Sequence, residues 1–312
     1  MQKQNVTRLP DDAIEMTAKG ATLAYVPPRI PVDGMTPETF ARTFLERRLP
    51  VVLVDAEAAH TGCGRALTAR ALSEKYASTT VPLDGGTGEP SSASLGEFLK
   101  FDDARMRSRY LRNVHVKDFF PDAAGELRLP TCFGANALED ESITPGIPER
   151  WRSWYELFVC NAAYGCPGFP FLHRDTCAVH AASFQIEGRK RFTLFPPADS
   201  KWLYQSGTGT TGNRSMIEDI DAEDVFERYP LFANARRLDV DVAPGEILVV
   251  PSNWWHIAKP LVDPRIDDPQ NDVCVSVAAS FVDASTLDHF LDAHCEFRAM
   301  QSLVAAGAAK ML

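Results

Sequence analysis

"PGEILVVPSNWWHIAKPL", residues 244–261, reads as two short strands joined by a corner. Pro244-Gly245 makes a turn, residues 247–250 form an apolar, β-branched run, a second turn follows at 251–254, and His256 opens the next strand. The same texture recurs across the C-terminal half. "YELFVCNAA", "PFLHRDT", "ASFQIEG", "RFTLFPP", "ARRLDVDVAPG", "EILVVPS", "HIAKPLV" and "VCVSVAASFV" are short runs separated by turns and Pro/Gly corners. Eight such strands predict a mainly β jelly roll or barrel rather than a parallel sheet with crossover helices.

The N-terminal half reads differently. In "TPETFARTFLERRLPVVLVDA" (36–56), Thr36 caps a helix carrying Phe40, Phe44 and Leu45 at helical spacing, and a buried strand follows. Further helical segments are expected at 68–77 and at about 94–101, with "RYLRNVHV" as a strand and 121–150 mostly irregular. Residues 283–312 place Leu287, Phe290, Leu291, Phe297, Met300 and Leu303 on one helical face. The expected organisation is an N-terminal extension (1–35), one domain with its helical lead-in (36–282) and a C-terminal helical segment (283–312).

Composition narrows the function classes. The chain has 312 residues, 45% of them hydrophobic and 24% charged, enough to bury a full core. No apolar run approaches the ~20 residues of a membrane span, and no apolar segment follows the basic residues of the N-terminus, so a cytoplasmic protein is expected. Seven cysteines, an odd number with no CxxC pair, argue against a disulfide framework or a structural zinc knot. A net charge of −10 without a Lys/Arg cluster disfavours nucleic acid as a partner.

Within "PFLHRDTCAVH" (170–180), His173 and Asp175 fall two residues apart, and i, i+2 residues of a strand share a face about 6–7 Å apart. Alone, HxD is as well explained by a half-exposed strand. His256, 83 residues on, completes a set of two histidines and one carboxylate if the strands are brought side by side. Such a set leaves open coordination positions, the arrangement of non-haem Fe(II) oxygenases. The plainer alternative is a buried His256 hydrogen-bonded beneath Trp254 and Trp255, at least one of which is expected to pack in the core.

"HRD", then "FQIEGRKRFTLFPPADSKWLY", then "PGEILVVPSNWWH" together resemble the Jumonji C (JmjC) dioxygenases, and "TPETFARTFLERRLPVVLVD", "SLGEFL" and "RYLRNVHVKDFFPD" extend the resemblance over roughly residues 36–290. The resemblance implies a double-stranded β-helix of cupin-like type, with Fe(II), 2-oxoglutarate and O2 as cofactor and co-substrates. Carried over by position, it implies His173, Asp175 and His256 as metal ligands, and Lys190 and Tyr110 as contacts to the distal carboxylate of 2-oxoglutarate. Ser183 and Gln185 share a parity that could face the pocket, unless a bulge at 176–182 breaks it. Arg189 and Arg191 fall on the surface by alternation. Pro170 and Pro260 depart from the family's usual polar residues, and His180 is a ligand or a neighbour of the pocket.

The implied reaction is hydroxylation of a protein, peptide or amino-acid side chain, or demethylation where the bond attacked is an N-methyl. A catalytically silent cupin-like binding protein is the rival reading, and a three-histidine cupin isomerase is disfavoured by HxD. The C-terminal helices serve either a homodimer or the chain's own barrel.

Overall fold

In "RKRFTLF" every second side chain turns inward, and that alternation fixes where the core lies. The structure is a computed structural model describing residues 14–17, 20–23, 25–56, 66–84, 91–207 and 212–295. Its sheet strands are β1 (Arg29–Pro31), β2 (Val51–Val54), β3 (Leu111–His115), β4 (Tyr155–Asn161), β5 (His180–Glu187), β6 (Arg189–Phe195), β7 (Leu238–Val242), β8 (Ile247–Val250), β9 (Trp255–Leu261) and β10 (Val273–Phe281). They form a seven-stranded sheet in the order β1-β2-β8-β5-β10-β4-β3 and a three-stranded sheet in the order β7-β6-β9. Consecutive strands cross between the sheets, β5 to β6 and β8 to β9, as the jelly-roll reading expects.

Residues of both sheets belong to one apolar cluster. From the small sheet come Phe192, Leu194, Val240 and Val242, and from the large sheet Phe184, Ile247, Val249 and Val277, which lie on its face turned away from Ser183 and Ser276. Phe40, Phe44 and Leu45 of the lead-in join it and are essentially inaccessible to solvent. Truncating one of these phenylalanines to Ala would cost about 3–5 kcal/mol.

The local signals of the lead-in hold at their start points. Thr36 accepts from Thr39 N at 3.3 Å and caps a helix over Pro37–Phe40, which widens into a π turn over Ala41–Leu45. Thr68 caps Ala69–Tyr76, and Ser94 caps a single turn over Leu95–Phe98, shorter than expected. Several short strands have no counterpart among the expected ones, three of them in the N-terminal extension. Arg29–Pro31 of the extension pairs in parallel with β2 as the edge of the large sheet, and Ile14–Thr17 pairs with Gly20–Leu23.

"PFLHRDT" is not a regular strand. Its backbone meets the β9 edge only locally, through Phe169 N to Ala258 O (2.8 Å) and the two-way pair of His173 with His256. Gly168 makes this approach feasible: its φ is +77°, and a Cβ there would collide with Ala258 O. Residues 287–295 are helical and bury Phe290 against Trp151. Phe297, Met300, Leu303 and the dimer expectation lie outside the described residues.

Candidate metal centre

His173 and His256 face each other across the two strands. His173 N donates to His256 O at 3.0 Å and His256 N to His173 O at 2.6 Å, so both side chains leave the same face, with ring centroids 4.3 Å apart. Each Nδ1 lies 3.2 Å from the carbonyl oxygen two residues earlier, Phe171 for His173 and Trp254 for His256. A carbonyl only accepts, so each Nδ1 carries a proton and each Nε2 is the ring nitrogen left to face Asp175. Both Nε2 atoms are 3.9 Å from Asp175 Oδ1. Among the described residues these three form the one cluster of ligand-type atoms mutually within 4.8 Å.

Asp175 reaches this point because its backbone is extended and the chain then turns left-handed at Cys177 (φ 59°) and Ala178 (φ 54°). Two such non-glycine residues in succession cost about 1–2 kcal/mol each, strain the surrounding packing has to hold. Burial holds the His173 imidazolium well below the usual histidine range, and His256, Arg214 and Arg112 push in the same direction. A neutral imidazole is the form that ligates metal. Phe169 stacks on the His173 ring at 4.2 Å.

From the three residues a cavity of about 80 Å³ runs between the sheets, lined by Tyr110, Ser183 and Lys190 among others. Lys190 is 3% exposed and its Nζ donates to Ser276 Oγ (2.5 Å) and Tyr110 Oη (3.4 Å). Among the described residues no carboxylate pairs with it. A buried ammonium without a counter-ion costs several kcal/mol of desolvation, which an anionic ligand would offset. Burial pushes the Tyr110 hydroxyl well above the ordinary tyrosine range, so it remains a donor.

Gln185 does not join the cavity wall. Its Nε2 donates to Glu187 O (2.7 Å) and other acceptors around the β5–β6 turn and β10. His180, the open question, is fully buried away from the three: Nδ1 accepts from Ser252 N (3.1 Å) and Nε2 faces Asp283 Oδ1 (3.2 Å). Trp254 and Trp255 both pack, on opposite sides of their strand, with indole N–H groups on Arg48 O and Ser200 Oγ. Neither lines the cavity. Pro260 pairs with Lys190 in register but lines a separate outer groove. Arg189 and Arg191 point outward and pair with Asp241.

Four polar residues of the cavity wall, Ser276, Ser280, Asn113 and Glu156, are not among those the sequence singles out. A signal for the first is present: in "VCVSVAASFV", Ser276, Ala278 and Ser280 are small residues at every second position, and all three line the cavity.

The profile described as "Cupin-like domain" matches residues 37–283. The chain belongs to the cupin-like domain family. Its JmjC-type character, expected from the ordered motifs, stands on this membership, and the chain is an oxygenase-type enzyme. The tRNA wybutosine-synthesizing protein 5 of Gallus gallus is similar at 26% identity over 257 residues, 72% of this chain and 71% of that protein. That of Mus musculus is 40% identical over 192 residues, 59% of this chain and 52% of its own length. HSPB1-associated protein 1 of Bos taurus is 37% identical over 94 residues, 30% of this chain and 19% of its own. The chain thus spans about half the length of the mouse relative. Among the described residues no helix of this cupin-like chain is long and apolar enough to cross a membrane.

Proposed function

We propose that the chain is an Fe(II)- and 2-oxoglutarate-dependent dioxygenase that hydroxylates a protein, peptide or amino-acid side chain, with succinate and CO2 as co-products. One observation carries this reading: two histidine Nε2 atoms and a carboxylate converge at one end of a cavity whose other end holds a buried lysine that no carboxylate pairs with among the described residues.

His173, Asp175 and His256 would hold the iron, a donor set that suits Fe(II) and leaves positions open for small ligands. Bound there, iron with 2-oxoglutarate and O2 supplies the oxidising power for C–H hydroxylation. The chain's own residues position and exclude. Lys190 Nζ and Tyr110 Oη are the donors for the distal carboxylate, Ser276 orients the ammonium, and Ser183 forms the wall beside them. Phe158, Phe192, Val250 and Ala258 line the cavity with apolar surface that keeps water out. The cysteines among the described residues are all free, which supports a reducing, cytoplasmic setting.

The test is anaerobic binding of Fe(II) and 2-oxoglutarate, followed by succinate release on admitting O2. Release above that of a His173→Ala control supports the reading; no release above it with a broad amino-acid and peptide panel overturns it. A tRNA-borne substrate is the second reading, prompted by the relatives' names. Its structural support is arginines stacked on aromatics near His173, with Arg112 over Phe169 (5.0 Å) and Arg214 over Phe171 (4.0 Å). Stimulation of succinate release by tRNA, and not by amino acids or peptides, would select it.

A further inference from the structure

Opposite the metal-side histidines, β3 carries an irregularity between Leu111 and Val114 where it pairs with β4. Asn113 sits in it with φ 53°, a left-handed conformation that asparagine tolerates better than most residues. The kink aims Asn113 into the cavity, where its Nδ2 donates to Glu156 Oε2 at 3.1 Å. Trp154, just before the start of β4, donates to the same carboxylate. On the other side of Asn113, Arg112 donates to its Oδ1 at 3.1 Å. That arginine is already matched by an ion pair with Asp84. Glu156 is thus held in place by neutral donors, and among the described residues no lysine or arginine pairs with it.

Charge counting gives this carboxylate a meaning, and the count rests on the dioxygenase reading. In the loaded site, the two positive charges of Fe(II) and the one of Lys190 meet the two negative charges of 2-oxoglutarate and the one of Asp175, and cancel. Glu156 is the carboxylate this count leaves over; burial disfavours its charged form and the nearby His115 offsets that only in part, so a cation brought by the substrate would stabilise it. We propose that Glu156, held by Asn113, is the specificity-determining residue of this enzyme and receives a cationic group of the substrate, the guanidinium or ammonium of a basic amino-acid side chain. The net charge of −10 draws such a substrate toward the protein.

The test uses the full chain, both as purified and loaded anaerobically with Fe(II) and 2-oxoglutarate. The probes are L-arginine and L-lysine, their N-acetylated amides, the neutral counterparts L-citrulline and L-norleucine, and L-glutamate. Binding is read by calorimetry, independently of turnover. At least tenfold tighter binding of a basic probe than of its neutral counterpart is expected, with free and capped forms telling an amino-acid from a peptide-borne substrate. Glu156→Gln, which keeps the size and an acceptor oxygen, should cut that preference at least tenfold. Asn113→Gly, which keeps the positive φ and removes the side chain, should cut it by less. No preference for the basic probes, binding of no probe at all, or a preference unchanged in Glu156→Gln overturns the proposal. Succinate release is read separately. A charge preference without succinate counts against the dioxygenase reading alone, and succinate release driven by a neutral or acidic probe and indifferent to Glu156→Gln counts against this proposal alone.

Discussion

His173 and His256 are a directly opposed antiparallel pair that exchange both backbone hydrogen bonds, at 3.0 and 2.6 Å. The candidate metal centre is therefore built on backbone pairing, and the two histidines proposed as ligands share the rigidity of β9. Replacing either histidine by Ala should lower Fe(II) affinity about 100-fold or more, since even loss of an outer contact to a ligand costs 10–100-fold. Anaerobic metal titration checks this, with circular dichroism confirming that the fold persists.

The approach of residues 169–173 to β9 depends on Gly168. Gly168→Ala forces a Cβ against Ala258 O at a φ of +77°, and should destabilise the chain by about 1–3 kcal/mol. It should also weaken Fe(II) binding, because His173 must move off its partner. Urea unfolding and the same metal titration measure the two effects together. Loss of stability with unchanged metal affinity would detach Gly168 from the site.

Lys190 yields a prediction of opposite sign in the two ligation states. Without a counter-ion, its buried ammonium is a liability, so Lys190→Met should leave the melting temperature of the ligand-free protein unchanged or raise it. With 2-oxoglutarate the variant should lose most of the ligand-induced rise seen in the parent, and its requirement for 2-oxoglutarate should increase about 30-fold or more, from the 2–5 kcal/mol typical of a truncated buried charge pair. Thermal melts with and without 2-oxoglutarate decide it. An equal upshift in both proteins would remove Lys190 from the co-substrate site.

A second buried pair sets an acid limit on stability. Burial raises the Asp283 carboxyl, but His180, Ser285 and Thr286 outweigh it and hold it at about 2. A carboxylate depressed in the folded state stabilises above its ordinary range near 3.9, and that contribution is lost as pH falls through the folded value. Asp283→Asn should therefore cost about 2–3 kcal/mol at neutral pH, with the gap to the parent closing between about pH 4 and pH 2. Urea midpoints across that range test it; a gap independent of pH would assign the effect to packing.

Much of this architecture is legible in the amino-acid order alone, because strands with Pro/Gly corners and alternating burial announce themselves. The alternation in "RKRFTLF" places Lys190 inward and its flanking arginines outward, as found. Arg29–Pro31 escapes because "VPPRIPV" is proline-rich and reads as coil, yet a parallel edge strand tolerates proline. The HxD spacing suggests two residues of one strand, whereas Asp175 lies beyond the paired backbone and reaches the histidines just before a left-handed turn. Nothing in the one-dimensional pattern announces a positive φ at Cys177, and the asparagine at 113 permits one without requiring it. Glu156 is invisible for a related reason: its importance comes from what fails to neutralise it, which depends on distant strands.

The three-stranded sheet also works as a ruler. Lys190 lies opposite Pro260 and Leu194 opposite His256 in the pairing of β6 with β9. Four residues of strand, about 13 Å, thus separate the backbone origins of the cation and of His256, one of the proposed metal ligands, and the long lysine side chain closes part of that span. Slipping this pairing by two residues would keep every side chain on its present face while shifting the lysine along the sheet by about 7 Å. On the dioxygenase reading, the length of dicarboxylate that fits is written in a hydrogen-bond register, and reselecting it would mean re-pairing two strands rather than exchanging one side chain.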